Sequence, residues 1–169
     1  MTISINHENF LAELLEKSTS AGATAADAIV FDASSVSVSY RLGEVEKIER
    51  SESNDLGLRV FVGPRQAIVS STDFRKEAIK ETISRAVAMA KVAPDDPYCG
   101  IAEQSQLTRE IPKIDIFGET EPSNENLIKA VKITEDAARS VKGVTNSEGA
   151  EMGWTRANIG MAATNGFSQ

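Results

Sequence analysis

At 169 residues the chain is long enough to bury roughly 70% of the surface its unfolded form exposes, so a real core is expected in a single domain or little more. Hydrophobic residues are 41% and charged residues 25%, which excludes global disorder and low-complexity classes. A formal net charge of −7 with no run of Lys or Arg leaves no phosphate-binding face, so no direct nucleic-acid partner is expected. One cysteine excludes an internal disulfide, and without a basic stretch followed by an apolar segment at the N-terminus the cytoplasm is the expected compartment. No window approaches 18 continuous apolar residues, so no membrane span is expected.

Ile5–Ser20 is predicted to be a helix. Asn6 is placed to cap it, Glu8 lies in the first turn, and Phe10, Leu11, Leu14, Leu15 and Ser18 share one stripe. Ile5 is placed to staple against Phe10, and Gly22 to end the helix. Ala28–Ala33 is a short β-type run. Val36, Val38, Tyr40 and Leu42 then alternate with Ser37, Ser39 and Arg41, as a strand with one buried face should. After a turn at Gly43, Val45–Glu52 carries enough charge to predict an exposed or edge strand. Asn54-Asp55 marks the next turn. Leu56, Leu58, Val60 and Val62 alternate again, Gly63-Pro64 makes a tight connection, and Ala67–Ser71 returns, giving a meander of about four strands.

Asp73 is placed to cap a second helix reaching about Ala93, with Ala78, Ile79, Ile83, Ala86, Val87 and Ala90 inward and Lys80 outward. Pro94 and Pro97 stop it. Tyr98–Glu121 is irregular, a traversing loop with one short strand predicted at Ile114–Phe117. Ser123 caps a third helix with Leu127, Val131, Thr134, Ala138 and Val141 inward, closed by Gly143. Val144–Thr155 and Ala157–Thr164 are predicted as two strands of a hairpin. Asn165-Gly166 signals a turn with almost nothing after it, so a truncated sequence is expected. The fold class is α+β: an antiparallel or mixed β-sheet meander with helices packed mainly on one face. The domain division is 1–143, followed by 144–169 as the start of a further hairpin region.

Chemistry-bearing residues are sparse. His7 is the one histidine, at an exposed helix start, where a solvated role is favoured over a triad. Cys99 follows Tyr98 without a flanking base, and an inert thiol is the default. Asp95-Asp96, between prolines, forms an ordinary turn rather than a cation site. Ser70-Ser71-Thr72-Asp73 lies between strand and helix, where free N–H groups hold anions, but Asp73 is expected to occupy that place itself. Trp154 fits core or interface equally, and the exposed strands offer a sheet edge for pairing with an extended peptide or another chain. No catalytic, cofactor-binding or metal-ligating residue is assigned.

The order of several short stretches resembles the TldD/PmbA family, the "modulator of DNA gyrase" proteins, and more closely its PmbA (TldE) branch. These are Gly22-Ala23 with Ala26-Asp27; Arg41, Gly43-Glu44, Glu46 and Ile48-Glu49, similar to R-x-G-E-x-E-x-I-E; Gly57-Leu58-Arg59-Val60 with Gly63; Ser70-Ser71-Thr72-Asp73; and the helix end Ala86–Ala90. Asp96-Pro97-Tyr98 with Gly100, Glu135 with Ala137-Ala138, Ser147-Glu148-Gly149-Ala150 and Asn165-Gly166-Phe167-Ser168 continue the register. The resemblance implies the N-terminal domain of a longer chain. It also implies a TldD-type partner subunit that binds a divalent metal, with zinc the expected ion, in its later half, and a metalloprotease complex acting on extended or unfolded peptides. The PmbA-type subunit is then structural or substrate-channelling. No family ligand or catalytic residue maps onto this sequence, so the chain is expected to hold no cofactor and to be inactive alone. The alternative is a free-standing peptide- or protein-binding α+β module.

Overall fold

A computed structural model describes residues 6–108, 110–118 and 120–169. The elements run α1 (His7–Ser20), β1 (Ala25–Arg41), β2 (Glu44–Phe61), β3 (Gln66–Ser71), α2 (Lys76–Val92), α3 (Asn124–Arg139) and β4 (Ala150–Ala163), with one 3-10 turn at Gln104–Gln106. The strands form an open four-stranded antiparallel sheet in the order β3-β2-β1-β4, and the class is α+β. β3 is short: it pairs with β2 only from Leu56↔Ser71 to Phe61↔Gln66.

The strands are longer and fewer than local pattern predicts. The runs expected at Ala28–Ala33 and Val36–Leu42 are one strand of 17 residues, and the turn expected at Asn54-Asp55 lies inside a strand of 18. Pairing with β1 along the hairpin overrides the weak strand propensity of that dipeptide. The hairpin expected over residues 144–164 is likewise one strand, β4. No strand forms at Ile114–Phe117. There the Ile116 amide donates to the Ile114 carbonyl at 3.0 Å, a three-residue turn incompatible with an extended ladder. The Asn165-Gly166 turn does form. The chain then returns alongside β4, with Met161 and Gln169 exchanging both backbone hydrogen bonds at 2.7 and 2.8 Å.

The chain divides into two compact units. The first comprises Met1–Asp32, Asn54–Lys113 and Asn158–Gln169, the second Ala33–Ser53 and Ile114–Ala157. In the first, Leu11, Leu14 and Leu15 of α1 and Ile79, Ile83, Ala86, Val87 and Ala90 of α2 bury against Ala26, Ala28 and Val30 of β1 and Leu56, Leu58 and Val60 of β2. Asn6 caps α1 as expected, its Oδ1 accepting from the Asn9 amide at 3.1 Å; the staple residue Ile5 lies outside the described residues. Gly22 ends the helix with φ +109°, a conformation that favours glycine.

α2 starts later than expected. Arg75, not Asp73, is its N-cap residue and offers no side-chain cap. The Asp73 carboxylate instead accepts from the Arg75 amide at 3.0 Å and from its guanidinium, and Phe74 packs on Phe10 with ring centroids 5.4 Å apart. Docking Phe74 in the core holds the backbone extended for one more residue. Thr82 joins the buried stripe, while Ala78 is only half-buried.

His7 is half-buried, not solvated, because β4 brings Gly160 beneath it. A Cβ at Gly160 would lie 2.7 Å from His7 Cβ and 3.2 Å from Leu11 Cδ1. Gly160→Ala is therefore expected to lower stability by about 1–3 kcal/mol through overpacking, read as a fall in the urea midpoint at unchanged slope.

In the second unit α3, capped by Ser123 through the Asn126 amide at 3.2 Å, covers Val36, Val38 and Tyr40 with Leu127 and Val131. The stripe steps by four to Glu135, leaving Thr134, Ala138 and Val141 exposed rather than inward. Glu135 is 1% exposed. Its carboxylate accepts from the Leu42 amide at 2.8 Å and the Gly43 amide at 3.4 Å. Those two residues make the β1–β2 turn with φ of +49° and +98°, the doubly positive pair a two-residue hairpin loop requires.

Candidate functional site

The strand residues that point away from the helices in the first unit are not all polar. Asp27 and Ile29 of β1, Gly57 and Arg59 of β2 and Ile68 of β3 floor a groove of about 430 Å³. Its walls are residues 100–102 with Leu107, and the β4 end with Phe167. The wall is pinned by Asn165 Nδ2, which donates to the Ala102 carbonyl at 2.7 Å. Ile29 is 38% exposed and Ile68 66% exposed, so the floor offers apolar surface to a ligand.

One ion pair sits in this apolar floor. Arg59 Nε lies 3.1 Å from both Asp27 oxygens and Nη2 bonds Oδ2, a forked arrangement, while the guanidinium carbon stands 5.1 Å above the Phe61 ring. The Asp27 hydrogen bond is the main cause that raises the Arg59 pKa above its ordinary value. Gly57 keeps the floor open, since a Cβ there would stand 3.0 Å from Ile29 Cγ2. The groove can grip an apolar segment beside a fixed charge pair. It presents no nucleophile with a base at hand.

Its makers were absent from the sequence-based candidates except as members of spelled motifs. Asp27 and Arg59 fall on the outward phase of two strands that are distant in sequence, and no local pattern pairs them.

The sequence-predicted candidates lie apart from one another. Asp95 Oδ1 accepts from Arg65 Nε at 2.6 Å, and Asp96 Oδ1 accepts from the Tyr98 amide at 2.9 Å, which is the work of a turn. Ser70–Asp73 and Asp55 line a hollow of about 340 Å³. Arg75 beside Asp73 holds its carboxyl at about 2, and the lining, with Asp55 and Asp73 and no cationic side chain, makes a poor anion site. Trp154 packs on the second unit's core and, with Phe117, stacks against Arg156, whose guanidinium carbon is 5.1 Å from each ring centroid. A cleft of about 820 Å³ along α2 is lined by Lys17, Lys76, Lys80 and Lys91 with Glu77, but it brings no buried polar group to a focus.

Among the described residues no group of three or more His, Cys, Asp or Glu side chains is placed to hold a metal ion. No described helix is long and apolar enough to cross a membrane.

Residues 26–90 match the family model described as PmbA/TldA metallopeptidase domain 1. The chain is 34% identical over 125 residues to Metalloprotease PmbA of Escherichia coli O157:H7, covering 73% of this chain and 28% of that protein. It is 29% identical over 137 residues to the Metalloprotease PmbA homolog of Haemophilus influenzae, covering 80% and 30%. The chain thus spans about three tenths of these relatives' length. Its fold is similar to that of a modulator of DNA gyrase from Bacteroides thetaiotaomicron, with TM-score 0.85, 14% identity, and 99% of this chain on 39% of that one. TldE from Thermococcus kodakarensis gives TM-score 0.79 at 18% identity, 95% of this chain on 36% of that one. Motif order, the matched first domain and the shared fold agree: the chain belongs to the TldD/PmbA family.

Proposed function

We propose that this chain is the N-terminal part of a PmbA/TldE-type subunit of a TldD/TldE-like peptidase assembly acting on extended or unfolded peptides. In this reading it is structural or substrate-channelling, and the metal and the reaction belong to the TldD-type partner. The observation that carries the proposal is the match of residues 26–90 to domain 1 of a metallopeptidase family. The apolar groove beside Asp27 and Arg59 supports a channelling role, because an extended segment needs apolar contact and one orienting charge more than it needs a reactive group. The same groove favours the second reading, a free-standing peptide-binding module.

Peptide hydrolysis needs an activated water or nucleophile with a positioned base. The chain alone, incubated with a quenched unfolded peptide with and without Zn²⁺, is expected to release no signal above buffer. A full-length PmbA/TldE-type protein with its TldD-type partner is expected to cleave, and to stop on addition of a chelator. Chelator-sensitive cleavage by this chain alone would overturn the assignment. Saturable binding of the peptide by the chain, with no effect of the partner on cleavage, would favour the module.

A further inference from the structure

β3 covers only Leu56–Phe61 of β2, so among the described residues no strand lies along the outer side of Glu44–Asp55. Residues 42–52 are all exposed. Such an edge presents a row of backbone donors and acceptors ready to template another strand. Charges on an edge usually block this, and Val45–Ser51, reading VEKIERS, is charged. Its order of signs is the informative feature.

We propose that this edge pairs antiparallel with the same edge of a second copy of the chain, about a two-fold axis at Ile48. The inference goes beyond the peptidase reading and does not depend on it. In that register Lys47 faces Glu49 of the other copy, Glu46 faces Arg50, Ile48 faces Ile48 and Val45 faces Ser51, so within Val45–Ser51 each cross-strand charge meets its opposite. A two-fold pairing keeps each side chain on its own face of the sheet, so the register can move only in steps of two. One step one way sets Lys47 on Lys47; one step the other way sets Glu49 on Glu49. The charges therefore select a single register. Glu44 facing Glu52 limits the pairing to seven residues.

The side chains are already disposed for it. Lys47 Nζ and Glu49 Oε2 are 2.6 Å apart on one face, so two copies would set a square of alternating charge. Arg50 gives Nη1 and Nη2 to Glu121, which leaves Nε to donate to Glu46 of the second copy.

The test is sedimentation equilibrium of the chain at low ionic strength, at concentrations up to about 1 mM, the weak end of specific association. A monomer–dimer equilibrium that weakens in high salt is expected. Lys47→Glu, which places like charges together twice, should weaken it by about tenfold or more. The double variant Lys47→Glu, Glu49→Lys restores opposite charges at both places and should recover the dimer. All three proteins should share one far-UV spectrum, since the altered side chains are exposed. A parent chain that stays monomeric overturns the proposal, as does Lys47→Glu associating like the parent, or a folded double variant that fails to recover. Association with a TldD-type subunit but not with itself also overturns it.

Discussion

Ile83→Asp is expected to abolish the folded first unit. Ile83 is 4% exposed on the inward stripe of α2, packed in the same cluster as Leu11, Ala86 and Val87. A carboxylate there is set among the apolar side chains of that cluster, and burying a charge or protonating it there removes about 4 kcal/mol or more. Domains of this size hold roughly 5–15 kcal/mol in all, so loss of the cooperative thermal transition is the expected result. Lys80→Asp, on the exposed face of the same helix, should melt within about 0.5 kcal/mol of the parent. Equal melting of the two variants would show that the helix phase is wrong.

Removing the Glu135 carboxylate should release the tip of the β1–β2 hairpin. Two turn amides lose their acceptor in Glu135→Ala, and a non-glycine residue, Leu42, is left in the left-handed region without the contact that holds it there. Amide exchange at Leu42 and Gly43 should accelerate by at least about tenfold, measured by hydrogen–deuterium exchange. The same group gives a pH signature. Burial alone would push its carboxyl up, but the Leu42 amide, the Ser147 hydroxyl, the Gly43 amide and Arg139 together hold it below its ordinary value of 4.5. With the folded value depressed, the unfolded chain takes up the proton more readily. Its stabilisation is therefore present in full above the ordinary glutamate range and is lost as pH falls through the folded value. Glu135→Gln should thus lie well below the parent in melting temperature at neutral pH and converge on it in acid. A gap that is constant from pH 7 to pH 3 would refute the role of the charge.

Both of these sites bear on what the sequence makes legible. The phase of α2 and the caps at Asn6 and Ser123 follow from local chemistry, because a side-chain acceptor three residues before an orphan amide acts within one turn of chain. The inward position of Glu135 does not. The stripe Leu127-Val131 was expected to continue through Thr134, Ala138 and Val141, since hydropathy assigns a glutamate to water. The two amides of the hairpin turn need an acceptor, and Glu135 supplies it from 93 residues away in sequence. Asn54-Asp55 failed in the same way: its turn preference is local, and the ladder that overrules it is formed with β1. The groove was hidden most deeply. Its floor comes from three strands and its walls from two distant segments, so only the assembled sheet brings Asp27 to Arg59.

The hydrogen bonds that tie Ala26 to Thr164 set a timetable for biogenesis. The Ala26 amide donates to Thr164 Oγ1 at 3.1 Å and its carbonyl accepts from the Thr164 amide at 2.9 Å, across 138 residues. The ribosome adds roughly 5–20 residues per second, so β1 waits on the order of ten seconds for its last neighbour to be made. During that interval the apolar row Ala26, Ala28 and Val30 has α1 and β2 available as cover but not the end of β4. Nascent chains stalled before residue 158 should therefore bind trigger-type chaperones and resist native compaction, and residues 1–169 carried clear of the exit tunnel on an added flexible linker should not.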